Sequence, residues 1–290
     1  MKKIALFALC ATVLFACKNG NSDKPAVKEE QPKEENVVKM KSEEPVFEIK
    51  TNLGTIKVKL YKETPLHRDN FFKLATQKFY DGIQFHRVIN GFMIQTGDPL
   101  SKDPNAVAKY GTGGPGYNVP AEFRPELKHK KGALAAARMG DDVNPNRESS
   151  GCQFYIVTGR KFREAQLLDM AGQKNNARVD EIFNELARKH MKEIYKLRKA
   201  GDNEALLELQ DSLEAQAYAQ YKEEEPFMFT PEQLTAYSTI GGAPHLDGAY
   251  TVFGQVVSGM ETVEKIEGTK TGKADRPVEN VRILKATVIE

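Results

Sequence analysis

From Phe85 to Asp98 the chain reads FHRVINGFMIQTGD, and no other stretch restricts its possible folds as much. Phe85, Val88, Ile89, Phe92, Met93 and Ile94 are too apolar for a loop, while Asn90-Gly91 in their midst is a tight-turn signal. The spacing predicts two short strands folded back on each other. Arg87 and Gln95 interrupt the apolar pattern. A guanidinium stays charged in proteins and is rarely buried without a partner, so Arg87 needs a polar neighbour or an open face. A two-residue turn would pair Ile89 with Phe92 and set Arg87 opposite Ile94. A three-residue loop pairs Ile89 with Met93 and sets Arg87 opposite Gln95. Opposite residues share a face of a sheet, so the second register, which gives the guanidinium a polar neighbour, is the one predicted.

Other segments also read as β-structure. Phe47 and Ile49, then Ile56, Val58 and Leu60, alternate with polar residues, and Thr51-Asn52-Leu53-Gly54 between them is turn-like, so a hairpin is expected. Thr64-Pro65 predicts a helix start, with a hydroxyl cap before a proline at the first helical position. Phe71, Leu74 and Ala75 give that helix an apolar stripe. Ala133 to Ala137, Gln153 to Thr158, Thr251 to Val257 and Val281 to Ile289 supply further strands. Gly111 to Gly116 is a glycine-rich loop, but no Gly-Lys-Ser/Thr follows, which argues against a phosphate cradle.

Between Gly159 and Ile240 the texture becomes helical. Val179, Ile182, Phe183, Leu186, His190 and Ile194 form one stripe. After Ala200-Gly201-Asp202, in which Asp202 is a candidate cap, Leu206, Leu209, Leu213, Ala217 and Tyr221 form a second. A helical hairpin set into a β domain is predicted. Thr230-Pro231-Glu232-Gln233 is a capping-box start for a short helix leading back.

The N-terminus predicts export. MKKIALFALCATVLFAC has two lysines, a short apolar core and a cysteine, the layout of a secretory signal over residues 1–16. Leu14-Phe15-Ala16-Cys17 resembles a bacterial lipobox, which implies cleavage before Cys17, lipidation of that cysteine and anchorage in the cell envelope, on the periplasmic face or the cell surface. Residues 17–44 are rich in Lys, Glu, Asn, Ser and Pro and are expected to form a disordered tether, with the folded domain at 45–290. Of the three cysteines only Cys152 would then remain as a free thiol, and a buried structural role is expected for it. The formal net charge of +2 makes no case for nucleic acid. His67, His86, His129, His190 and His245 show no metal-ligand spacing, so no metal and no cofactor are expected.

FHRVINGFMIQTGD, together with GTGGPGY, PAEF, KGALAAAR, CQFYIVTG and HLDGAYTVFGQVVSGMETVEKI, resembles the cyclophilin-type peptidyl-prolyl cis-trans isomerases. The resemblance implies a mainly β fold: a closed eight-stranded antiparallel barrel capped by helices, here interrupted by a helical insertion at about 160–236. It implies rotation of X-Pro bonds in extended or unfolded polypeptides, which in an exported chain would assist folding. It also implies roles. Arg87 is the catalytic arginine, and Gln95 holds it. Phe92, Met93, Tyr155 and Leu246 wall a proline pocket. Gln153, Ala137 and the backbone of Arg138 bind the substrate main chain, and Gly114 lies at the groove's rim. His245, expected among the substrate-binding residues, stands where many members carry tryptophan, and Tyr250 stands where many carry histidine and either borders the pocket or merely packs. Asn90 replaces a usual proline and Arg138 a common asparagine. A rival function is a lipid-anchored chaperone or scaffold that holds prolines with little turnover. The insertion is a possible docking surface for a protein partner.

Overall fold

A computed structural model describes residues 39–289; the predicted signal and Cys17 lie outside them. Strands β1 (Val46–Thr51) and β2 (Gly54–Leu60) form the expected hairpin, with Thr51 paired to Gly54 across Asn52-Leu53. Helix α1 (Pro65–Thr76) follows. Then come β3 (Arg87–Ile89), β4 (Met93–Thr96), β5 (Asn118–Val119), β6 (Ala133–Ala136), β7 (Ser149–Ser150) and β8 (Phe154–Val157). Helices α2 (Glu164–Lys189), α3 (Met191–Ala200), α4 (Asn203–Tyr221) and α5 (Pro231–Thr239) separate β8 from β9 (Val252–Ser258). Helix α6 (Met260–Glu267) and β10 (Ile283–Val288) complete the order.

Eight strands form one antiparallel sheet in the order β10-β1-β2-β9-β6-β8-β4-β3. The sheet curls until its ends approach. Just before β3, Gly82 N–H donates to Ile283 O at 2.8 Å and Phe85 N–H to Val281 O at 2.9 Å. No continuous ladder joins β3 to β10 among the described residues, so the expected closed barrel is not shown; the sheet is curled, and its edges meet through a few bonds. The short pair β5–β7 was not legible in the sequence.

Period-two alternation sorts side chains between two apolar layers. Phe47, Ile56, Val58, Leu60, Val88, Ile94, Leu134, Phe154 and Ile156 point into the enclosed core, joined by Phe71 and Leu74 from α1. Each such burial contributes roughly 1.5–3 kcal/mol. Met93, Ala133, Ala135, Tyr155 and Val157 point the other way and form a second layer with Leu246 and Val252. Burial on both faces explains why β6 and β8 read as unbroken apolar runs rather than alternating ones.

Two expectations need correction. The hydroxyl of Thr64 does not cap α1. The carboxylate of Glu122 does so instead, accepting from the N–H groups of Leu66 (3.2 Å) and His67 (3.0 Å) and meeting His67 Nδ1 at 2.7 Å. An anion at a helix N-terminus answers the unpaired donors there and the positive end of the dipole, but a partner so distant in sequence leaves no local signal. The predicted helical hairpin is three helices, because the first stripe breaks at His190, whose ring meets Glu193 at 3.1 Å. Asp202 caps α4 and Thr230 closes a capping box on α5, as expected. Val179 and Ile182 of α2 pack on Ala217 of α4. No helix among the described residues is long and apolar enough to cross a membrane.

Candidate active site

The β3–β4 pair takes the predicted register, with Arg87 opposite Gln95, Val88 opposite Ile94 and Ile89 opposite Met93. The loop between them is therefore three residues long, and Gly91 takes a positive φ of 70° in it. Glu267, at the end of α6, accepts from the Gly91 N–H at 2.6 Å and fixes the turn. Because Val88 faces the core, Arg87 is placed on the outer face, with its side chain 43% exposed.

That face opens onto a groove of about 1100 Å³. Arg87, Gln95, Phe92, Met93, Tyr155 and Leu246 line it, as do Ala137, Arg138 and Tyr250. Nine of the twelve residues expected to bind or act on substrate thus converge on one concavity. The other three sit around it. Gln153 is buried behind the wall, and its amide donates to Gly111 O (3.0 Å) and Gly113 O (2.8 Å), fixing the rim loop. Gly114 is exposed in that loop, outside the lining. His245 is exposed and lies against the Phe92 ring, with centroids 5.3 Å apart.

The polar groups are held unequally. Gln95 faces Arg87, yet its amide nitrogen donates to Gln153 Oε1 at 3.2 Å rather than holding the guanidinium. The ionic partner of Arg87 is Asp275, whose Oδ2 lies 3.5 Å from Nε. The side chain of Arg138 is committed elsewhere, with Nε donating to Ala249 O at 2.8 Å, Nη1 to Asp141, and the guanidinium 4.5 Å from the Tyr250 ring centroid. Its backbone N–H has no partner among the described residues, which leaves it available to an extended peptide. Met93, Tyr155 and Leu246 are buried while the Phe92 ring is half-buried, so the pocket floor is largely apolar.

Two buried ionisable groups flank the groove. Burial pulls the His86 imidazole down to about 4, against a smaller upward pull from the Asp98 charge, so the ring is neutral near pH 7. Burial, with the nearby Tyr250 and Asp247, pushes the Tyr155 hydroxyl well above its ordinary range. Behind the pocket, Asp247 Oδ1 accepts from the backbone N–H of His129 and meets its Nδ1, both at 2.9 Å. Asp247 Oδ2 accepts from Gln233 Nε2 (3.2 Å) and Tyr237 OH (2.5 Å) of α5. This network anchors Leu246, the adjacent pocket residue, to the helical segment. Cys152 is buried, and burial pushes its thiol up to about 12, in keeping with a structural role. Among the described residues no group of three or more His, Cys, Asp or Glu side chains is placed to hold a metal ion.

Sequence reasoning missed the second wall of the groove, formed by residues 105–111 and 272–278. Asp275-Arg276-Pro277 carries a turn signal, but nothing local connects it to Arg87.

Comparison with known proteins agrees with this geometry. The model of the family "Cyclophilin type peptidyl-prolyl cis-trans isomerase/CLD" matches residues 46–204 and 227–288, so the unmatched stretch falls within α4 and the loop after it. A Staphylococcus haemolyticus protein provisionally named a peptidyl-prolyl cis-trans isomerase is 30% identical over 235 residues, covering 80% of this chain and 85% of its own length. Peptidyl-prolyl cis-trans isomerase CYP18-1 of Arabidopsis thaliana is 27% identical over 82% of this chain and 92% of its own. A crystal structure of a Cryptosporidium parvum cyclophilin-type isomerase superposes with a TM-score of 0.51 at 21% identity, covering 85% of this chain and 98% of that one. A second crystal structure of that protein, in the presence of the dipeptide Ala-Pro, gives 0.50 at 20% identity. An outer-face arginine over an apolar pocket, on a curled eight-stranded sheet that the family model spans almost end to end, places the chain in the cyclophilin-type peptidyl-prolyl cis-trans isomerases.

Proposed function

We propose that the chain rotates X-Pro bonds of exported polypeptides at the groove beside Arg87 and so assists their folding at the cell envelope. One observation carries the reading: Arg87, held on the outer face by the β3–β4 register, shares one cavity with Phe92, Met93 and Leu246.

A prolyl amide resists rotation because its nitrogen shares a lone pair with the carbonyl, at a cost of about 18–20 kcal/mol. Twisting localises that pair on nitrogen. A fixed cationic donor beside the nitrogen stabilises the twisted amide more than the planar one. Uncatalysed isomerisation takes tens to hundreds of seconds, so reaching milliseconds needs about five decades, or roughly 7 kcal/mol. One charge-assisted hydrogen bond contributes about 1.5–3 kcal/mol. The remainder comes from the apolar floor, which disfavours the more dipolar planar amide, and from gripping the peptide on both sides of the proline. Phe92, Met93, Tyr155 and Leu246 seat the ring, and the free N–H of Arg138 takes a substrate carbonyl. No bond breaks, so the reaction needs no nucleophile or general base.

Export and anchorage are the second part of the reading. Its support is the sequence of residues 1–17, and labelling with radioactive palmitate should mark the wild type and not Cys17→Ala. The groove is tested by exchange NMR on an Ala-Pro peptide with Phe92→Ala. A drop in kcat/KM of about tenfold or more is expected from losing the buried aromatic wall. Unchanged turnover would remove the groove from the mechanism.

A further inference from the structure

A guanidinium that must sit beside one nitrogen atom has to be aimed, and the contacts around Arg87 leave the aiming to one group. Its side chain is 43% exposed, so the sheet fixes only its root. Gln95, the neighbour across the strand pair, spends its amide on Gln153. No nitrogen of its guanidinium makes a hydrogen bond among the described residues, and its contact with Asp275, at 3.5 Å, is an ion pair. Among the described residues, the one charged group that reaches the guanidinium is the carboxylate of Asp275, and it does so at Nε.

The segment bearing Asp275 is built to present it. Ala274 (φ 59°) and Asp275 (φ 56°) both lie in the left-handed region, which non-glycine residues rarely adopt and which alanine has no side-chain means to favour. The segment holds that shape because its ends are tied. Gly272 N–H donates to Arg276 O at 2.7 Å, and Val278 N–H to Lys270 O at 2.8 Å. The Arg276 guanidinium lies 5.1 Å from the Tyr110 ring centroid, joining the segment to residues 105–111 across the second wall of the groove. Strained backbone persists only where its surroundings over-determine it, and such sites cluster around function.

We propose that Asp275 is a positioning residue for Arg87. Its carboxylate takes the Nε side of the guanidinium and leaves the terminal nitrogens for the prolyl amide. An ion pair between two groups this exposed adds little stability. Its consequence is directional: it narrows the rotamers of a long side chain to those that face the groove. The proposal rests on the reading of Arg87 given above and adds the residue that aims it.

The test is a double-mutant cycle in the full chain, read by exchange NMR on an Ala-Pro peptide. Asp275→Asn should lower kcat about three- to tenfold and leave KM within about twofold, as expected when orientation and not binding is lost. Asp275→Glu, which keeps the charge, should recover most of that loss. In an Arg87→Ala background Asp275→Asn should change turnover by less than about 1.5-fold, since the group it aims is gone. The Nε–H resonance of Arg87 should move in Asp275→Asn and return in Asp275→Glu. Equal losses in the two backgrounds would overturn the proposal, because Asp275 would then act on the segment or the substrate and not through Arg87. Unchanged or faster turnover in Asp275→Asn would also overturn it. If Arg87→Ala alone turned over like wild type, the reading of Arg87 would fail first, a result distinct from a silent Asp275 beside an essential Arg87.

Discussion

Replacing Asp247 by alanine should remove a large part of the protein's stability, although Asp247 does not line the groove. Four donors converge on this carboxylate: His129 N–H and Nδ1 at 2.9 Å, Gln233 Nε2 at 3.2 Å and Tyr237 OH at 2.5 Å. The residue is 7% exposed, so water does not replace a lost acceptor. A buried donor left unpaired costs about 1–3 kcal/mol. The four share one network and do not add, so a total of about 4 kcal/mol is expected, a large part of a typical 5–15 kcal/mol. Asp247→Asn keeps the shape and one acceptor oxygen, and should cost about 1–2 kcal/mol. Burial by itself would raise the Asp247 pKa, but hydrogen bonds from His129 and Tyr237 hold it below its ordinary value of 3.8. The carboxylate form therefore stabilises the fold above that value, and the stability is lost as pH falls through the lowered one. Urea unfolding monitored by circular dichroism reads both effects, as a lower midpoint at unchanged slope. Turnover should fall as well, since Leu246 is the preceding residue and Lys174 of α2 donates to the Asp247 carbonyl at 3.3 Å. If Asp247→Ala unfolded within about 1 kcal/mol of wild type, the network would not anchor the pocket and the reasoning would fail.

His86 should add a separate acid sensitivity. Its imidazole is pulled by burial from 6.5 to about 4, so the unfolded chain binds the extra proton first. Stability from the neutral ring is complete above 6.5 and drains between 6.5 and about 4, by roughly 3 kcal/mol. His86→Phe should flatten that limb of the stability–pH curve, and an unchanged slope would contradict the assignment. Gly97→Ala should destabilise by at least about 2 kcal/mol in the same unfolding assay. Gly97 has a φ of 97°, and an added Cβ would lie 2.2 Å from the Cys152 carbonyl oxygen, so a near-neutral result would count against the close approach of β4 and β8.

The β3–β4 register was legible because only one register sets the two polar residues of an apolar pair opposite each other, and Arg87 does face Gln95, although the two do not bond. The strands were legible from alternation and the capped starts of α4 and α5 from local chemistry. What escaped the sequence is what long-range partners decide. Glu122 replaces Thr64 as the cap of α1, Gln95 turns to Gln153, and Asp275 reaches Arg87 from the far end of the chain. None of these pairings has a periodicity or a spacing to announce it. The residues outside the groove's lining divide similarly: Gln153 works behind the wall through the Gly111 and Gly113 carbonyls, a role visible only once the loop is folded over it.

The central claim is that the charge on Arg87 stabilises the twisted prolyl amide beyond what the groove does by binding. Exchange NMR with Arg87→Ala, resolving kcat from KM on one Ala-Pro peptide, tests it most directly. The account predicts a kcat about tenfold to a hundredfold lower, the worth of one charge-assisted hydrogen bond, with KM within about threefold because the apolar floor is intact. A kcat equal to wild type, or a loss carried wholly by KM, would contradict it and leave the groove a binder of prolines.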